Sequence, residues 1–222
     1  MNPGTGAVKM GGMQDGSPSA ARPYKGRTAD ERREERRRRL LAAGLELWGD
    51  HGWAAVSMRG VCAHAGLNDR YFYESFADVE SLLLAVYDQA LDALVAHLDN
   101  ALASSADPRE QIRAGMTAFV RAMADDPRRA RIGLAEPAGS PALERRRRAT
   151  YRLFAARART SLVPADGPGF NGPGFTRAAL FALGGVAELV ITWLTEPDPG
   201  DPGVLAAHAS ELTLTVLDPY LP

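Results

Sequence analysis

An all-α protein of about nine helices is expected from this 222-residue chain, with a three-helix N-terminal head joined to a larger helical body. Three observations lead there. Apolar side chains recur at helical spacing through most of residues 28–218, and no stretch alternates as a strand does. Helix-start residues accompany them: Thr28, Ser57, Asn68, Asp78 and Asp107 each stand just before such a run. Residues 57–76, S-M-R-G-V-C-A-H-A-G-L-N-D-R-Y-F-Y-E-S-F, spell a short helix, a tight Ala-Gly-Leu turn and a second short helix with tyrosines among polar residues. That is the outline of a helix-turn-helix.

Residues 1–27 are rich in Gly, Ser, Pro and Ala and offer little to bury, so they read as a disordered tail. Thr28-Ala-Asp-Glu31 has capping-box spacing. The helix behind it runs to about Asp50. Its stripe is Leu41, Leu45 and Trp48, widened by Leu40 and Leu47, and His51-Gly52 ends it. Arg36 to Arg39, in its middle, read as a solvated face. Ser57 caps the next helix, which turns Met58, Val61 and Ala65 inward, and Gly66 makes the turn at no steric cost. Asn68 caps the third helix, pinned to the first two by Phe72 and Phe76. Asp78 caps a long helix to about Ala103, with Leu82, Val86, Leu94, Leu98 and Leu102 at helical spacing.

The body continues in the same manner. Asp107-Pro108-Arg109-Glu110 combines a cap, a first-turn proline and a capping-box acid, ahead of the stripe Ile112, Met116, Phe119, Val120 and Met123. A short helix spans 127–135 and another runs from about Pro141 to Leu162, with Arg145–Arg148 as a solvated face able to pair with acids. Residues 163–174 make a loop. Two last helices, near 175–195 and 203–218, flank Glu196–Pro202. The organisation is therefore a tail over 1–27, a head over 28–77 and a body over 78–222.

Composition narrows the function classes. The chain is 45% hydrophobic and 24% charged, ordinary for a soluble protein. No apolar run reaches the roughly 18–20 residues that span a bilayer. The longest, near 178–194, is interrupted by Gly184, Gly185 and Glu188, and the N-terminus lacks the apolar segment of a signal peptide. No membrane partner is expected. A single cysteine, Cys62, leaves no intramolecular disulfide and fits a reducing cytoplasm. Net charge is −1, but residues 1–77 hold twelve basic against nine acidic residues and 78–222 hold fourteen against eighteen. A mildly basic front on an acidic body suits one DNA-facing end.

Catalytic chemistry has nothing to rest on. Cys62 and His64 lie two apart and so on different helix faces. His51, His64, His97 and His208 have no metal-ligand spacing. The loop P-G-F-N-G-P-G-F lacks the lysine and the strand of a phosphate loop. No enzyme activity, metal or cofactor is expected.

If the head is a helix-turn-helix, the helix over 68–74 enters the major groove of double-stranded DNA, with Asp69 and Arg70 at its exposed start. An arginine grips guanine O6 and N7 with two hydrogen bonds, worth about 1–3 kcal/mol of discrimination, and an aspartate accepts from cytosine N4 or orients the arginine. Tyr71 and Tyr73 are too polar and too close together both to be core. Ser57 and Arg59, at the start of the preceding helix, suit phosphates, and Asn68 stands at the cap of the reading helix. Lys25 and Arg27 of the tail are placed to reach the backbone or minor groove.

These residues give the chain its resemblance to the TetR family of transcriptional regulators, concentrated in residues 28–90. The strongest piece is A-G-L-N-D-R-Y-F-Y-E-S-F followed by the acidic, Leu-rich start Asp78–Leu84. The family pattern is Ala-Gly-Val-Ser, a variable stretch, Tyr, two residues, Phe, then usually Lys-Glu. Here Leu67 stands for Val, Asn68 for Ser, and Val79 for the lysine that tends to approach the DNA backbone. The resemblance implies that Tyr73 contacts phosphate and that Tyr71 touches a base or the backbone.

In the body, Met116, Phe119, Val120, Met123, Phe154, Phe181 and Trp193 are more aromatic and flexible than a minimal bundle requires. Each one, taken alone, is explained by core packing. Together, the resemblance implies that some of them line an effector pocket, and the scarcity of clear buried polar residues points to a largely apolar small molecule. Leu180, Leu183, Gly184, Ala187, Ile191 and Leu194, with Leu205, His208, Leu212 and Val216, form stripes suited to a homodimer through the last two helices. The expected function is that of a cytoplasmic, homodimeric repressor released from a near-palindromic operator by its effector. The alternative is an effector-independent activator or architectural factor with the same head.

Overall fold

The computed structural model describes residues 1, 28–135, 140–164 and 173–222. The tail expected over 1–27, Lys25 and Arg27 included, lies outside the described residues but for Met1, as do residues 165–172 of the expected loop. The described residues hold nine α-helices and no strand: α1 (Ala29–His51), α2 (Met58–Ala65), α3 (Asp69–Tyr73), α4 (Val79–Leu102), α5 (Pro108–Asp125), α6 (Pro127–Ala130), α7 (Pro141–Leu162), α8 (Pro173–Thr195) and α9 (Pro202–Leu217). The all-α expectation holds for them.

The caps explain most boundaries. Thr28 and Glu31 form the capping box of α1, the Thr28 N–H donating to the Glu31 carboxylate at 2.7 Å. Ser57 and Asn68 accept from the first turns of α2 and α3. Asp78 and Ser81 form a second box at α4. Asp107 caps α5 through the Arg109 N–H, but Glu110 does not close a box there. Its carboxylate pairs with Arg113 at 2.7 Å, one turn along, where a full guanidinium offers more than the single backbone N–H of Asp107. The helix expected over 127–135 divides into α6 and a π turn, Arg131–Ala135.

Helices α1 to α3 close around Leu40, Trp48, Val61 and Phe72, none of which is exposed. This core does not stop at residue 77. Leu82, Val86 and Tyr87 of α4, Ile132 of the π turn and Leu143 of α7 belong to it. A second junction joins head and body where α6 packs on α1. Gly49 allows it: a Cβ there would lie 2.6 Å from the Arg128 Cβ. Arg128 then clasps Asp50 at 2.6 and 3.1 Å, and Arg131 donates to the Gly49 carbonyl at 3.0 Å. The body packs α5, α7, α8 and α9 around two smaller cores, one holding Ile112, Phe175 and Leu217, the other Val120, Val190 and Ala206.

By length and composition α8 qualifies as a possible membrane span, contrary to the expectation that no run is long enough. Gly184, Gly185 and Glu188 interrupt its apolar character without lowering the average of so many Ala, Leu and Val neighbours. In this fold its inner face, Phe175, Ala179, Ala182, Val186 and Val190, is buried against the other body helices.

Candidate DNA-binding head and effector cavity

The turn between α2 and α3 rests on Gly66, whose φ of 61° and ψ of 40° place it in the left-handed region. Its geometry sets α3 across α2, and Asn68 Oδ1 accepts from the Tyr71 N–H at 3.3 Å to fix the start of α3. Phe72 faces the core. Asp69, Arg70 and Tyr73 therefore point out, with Tyr73 61% exposed and the Arg70 side chain 83% exposed. Ser57 and Arg59 are also exposed. The Ser57 hydroxyl accepts from the Gly60 N–H at 3.2 Å. Val79 opens α4 and packs, half-buried, against the head's core.

Arg36, Arg37 and Arg39 are not the solvated face expected of them. The Arg36 guanidinium lies over the Tyr71 ring at 4.4 Å from its centroid and pairs with Glu74 at 3.1 Å. Arg37 stacks on Phe76 at 4.4 Å and donates to the Ser75 carbonyl at 3.0 Å. Arg39 donates to the carbonyls of Ala65 and Gly66 at the turn. Helical periodicity shows which residues share a face but not that another helix ends against that face. Tyr71 is thus half-buried under Arg36, and Glu74 is shared between Arg36 and Arg70, the latter at 3.3 Å. The arginines of α1 fix where α3 sits.

Cys62 is buried, and burial, with the Asp69 carboxylate adding to it, pushes its thiol above the ordinary value. A thiol held protonated is a packing group rather than a nucleophile. His64 meets Glu46 at 2.6 Å, and among the described residues no three His, Cys, Asp or Glu side chains gather as a metal site would require.

The body encloses a cavity of about 180 Å³ whose walls come from α4, α5, α7, α8 and α9. Met116, Phe119, Met123 and Phe154 line it, as named from the sequence. Val120, Phe181 and Trp193 do not. Val120 is fully buried in the core beside the cavity, Phe181 is 72% exposed on the outer face of α8, and Trp193 is half-buried near the end of α8. Leu91, Leu94, Val95 and Leu98 of α4 and Ala182, Leu183 and Val186 of α8 supply much of the remaining wall. A signal for the α4 wall was present: its leucines keep helical spacing well past the point where the head is complete.

Several polar side chains at the cavity already have partners within the protein. Gln111, buried, donates to the Ser105 carbonyl at 2.8 Å and accepts from Ser161 at 3.1 Å. Tyr87 hydrogen-bonds Thr150, and burial raises its phenol above the ordinary value. Asp99 and Arg157 pair at 2.6 Å. The walls thus offer a ligand mostly carbon.

The stripes expected at a dimer surface divide between inside and outside. Leu183 and Ala187 line the cavity, and Leu180, Leu194 and Leu205 pack inward. The outward apolar positions are Phe181, Val204 and Leu212, with Gly184 and Gly185 exposed among them. α8 is apolar on nearly every side, so periodicity alone selects no face.

Residues 40–86 match the family described as bacterial regulatory proteins, tetR family. Over 87 residues, 39% of this chain, the sequence is 36% identical to the HTH-type transcriptional activator FasR of Mycolicibacterium smegmatis, and the match spans 40% of that protein's length. Among solved structures, the fold resembles the fatty acid degradation regulator FadR from Bacillus halodurans, with a TM-score of 0.69 and 16% identity over 81% of this chain and 94% of that one. It equally resembles FadR from Bacillus subtilis, solved in complex with stearoyl-CoA, with a TM-score of 0.69 and 16% identity over 81% and 98%. A tetR-family regulatory protein from Rhodococcus RHA1 gives 0.60 and 24% over 82% and 96%. Residues 40–86 therefore carry the head of the tetR family of bacterial regulatory proteins, on a helical body that shares its fold with solved regulators, one of them of that family.

Proposed function

We propose that this protein is a homodimeric transcriptional repressor, released from a near-palindromic operator when an apolar, chain-like effector fills the cavity of the body. The observation that carries the reading is the double membership of α4. Its first turns belong to the core of the head, and its later turns wall the cavity. A ligand that spreads the cavity therefore moves the element on which the reading helix is mounted. The ligand acts only by its differential affinity for the two arrangements. The cavity's carbon walls, and the stearoyl-CoA of a neighbour in fold, support a long acyl chain as the effector.

Asp69 and Arg70 read bases, Tyr73, Ser57 and Arg59 hold phosphates, and Asn68 and Tyr71 chiefly set α3. The dimer forms through the outer faces of α8 and α9, where Phe181, Val204 and Leu212 are exposed. Activation is the second reading, favoured by the 36% identity over 87 residues to a transcriptional activator.

Selection of bound fragments from a genomic library, followed by gel shifts, tests the reading. Arg70→Ala is expected to lose about 1–3 kcal/mol of discrimination at one base position, and Tyr73→Phe to weaken all sequences alike. Wild-type protein without any sequence-dependent affinity would sink it.

A further inference from the structure

α4 and α7 are joined by two acid–arginine pairs, Asp88–Arg146 and Asp99–Arg157, each at 2.6 Å. On both helices the two members lie three turns apart and in the same order, so the helices run parallel with the pairs about 16 Å apart. Between them, Leu91, Val95 and Leu98 of α4 and Tyr151 and Phe154 of α7 line the cavity. The first pair stands clear of the cavity wall, whereas Asp99 and Arg157 form part of it. They are also about half exposed, at 49% and 43%. A pair that belongs at once to the cavity wall and to the surface lies at a mouth.

We infer that the slot between α4 and α7 is the ligand entry and that Arg157 receives an anionic headgroup, which takes the guanidinium from Asp99. This rests on the reading of the cavity as an effector site and specifies the ligand: a long apolar chain ending in a carboxylate or phosphate. The geometry gives the exchange a direction. Losing Arg157 frees the far end of α4 from α7, while Asp88–Arg146 and the buried Tyr87–Thr150 hydrogen bond keep the near end in place. The far end opens about a fixed point beside the head. The cavity's other arginine, Arg129, pairs with Asp126 one turn away at 2.8 Å, so capturing it would part no helices.

The test is equilibrium binding to the full-length protein of three probes with one chain length: hexadecanoate, hexadecyl phosphate and 1-hexadecanol. Wild type is expected to bind the better anion about tenfold more tightly than the alcohol, as suits a charge-assisted pair at a half-exposed site. The two anions distinguish a carboxylate from a phosphate head. Arg157→Ala should abolish the preference, Arg157→Lys should keep part of it, and Asp99→Asn, which removes the competitor, should strengthen anion binding. Arg129→Ala should leave the preference unchanged. Thermal unfolding of each variant without ligand verifies the fold, and the acid-to-alcohol ratio is unaffected by a general loss of stability. Equal binding of anions and alcohol, or a preference that survives Arg157→Ala, overturns the headgroup site and leaves the apolar cavity standing. Binding of none of the three overturns both.

Discussion

Replacing Gly49 with alanine tests whether the head is fixed to the body by close approach of α1 and α6. An added Cβ would meet the Arg128 side chain at 2.6 Å to Cβ, 2.8 Å to Cγ and 3.1 Å to Cδ. Ordinary carbon contacts lie at about 3.5–4.0 Å, so the helices must part by about 1 Å. Overpacking of this kind costs about 1–3 kcal/mol. Alanine recovers at most about 1 kcal/mol of helix propensity. The net loss reaches about 2 kcal/mol, or several degrees in Tm for a chain of this size. Gly44→Ala is the comparison. Its nearest neighbour is a Val86 methyl at 3.1 Å, at the end of a side chain, so that variant should be close to neutral. Arg128→Ala in the Gly49→Ala background should rescue little, because the nearest atom is the Cβ that alanine keeps. Thermal and urea unfolding of the four proteins provide the data. A Tm that rises with Gly49→Ala, as it would for an uncrowded helical glycine, would refute the argument.

Two further outcomes follow from ion pairs. Arg36→Ala removes the stack on Tyr71 and the pair with Glu74, and should cost about 1 kcal/mol of stability but a larger share of operator affinity in gel shifts, with Arg36→Lys failing to restore it because an ammonium cannot both stack and fork. The hydrogen bond from Arg147, and then that from Arg148, holds the Glu144 carboxyl below its usual range, so its stabilisation is present above the ordinary carboxylate pKa and lost as pH falls through the depressed one. Wild type should exceed Glu144→Gln by at most about 1 kcal/mol at neutral pH, and urea titrations should converge in acid.

The head was legible because its signals are local. Capping residues, a left-handed glycine and Phe72 with Phe76 four apart act within a few residues of chain, and the sequence carries them in order. The arginines of α1 do not read as contacts because their partners lie far along the chain, Glu74, Ser75 and Phe76 almost forty residues from Arg36 and Arg37, and Ala65 and Gly66 more than twenty-five from Arg39. The cavity was half legible for a related reason. Met116, Phe119 and Met123 share one face of α5, but the choice between lining and filling depends on where α4 and α8 stop short of them. Phe181 shows the limit most clearly. On a helix apolar all round, a large aromatic can face a cavity, a core or a partner, and only the docking of α7 and α9 elsewhere on α8 decided that it faces out.

Head and body meet in two places, and the difference between them bears on how a ligand could act. The α1–α6 junction is held by a glycine contact and a doubly bonded arginine, so it has little room to slide. α4 instead passes from a dense core into a cavity wall, so a displacement of its far half about the Asp88–Arg146 pair would tilt its first turns and the head with them. On the proposed mechanism motion enters through α4 and pivots at its contacts with α7 beside the head. Magnitudes limit what the Arg157 exchange can do alone. A tenfold preference is worth about 1.4 kcal/mol per subunit, and the two subunits of the proposed dimer would supply about 2.8 kcal/mol. Reversing a population from 1:99 to 99:1 takes about 5.5 kcal/mol. The remainder must come from carbon that a ligand buries in the open arrangement and cannot bury in the closed one. At about 0.8 kcal/mol for each buried CH₂, three or four further methylenes close the gap across the dimer. Potency in releasing DNA should then climb with chain length until the cavity is full, while the headgroup determines which chains enter.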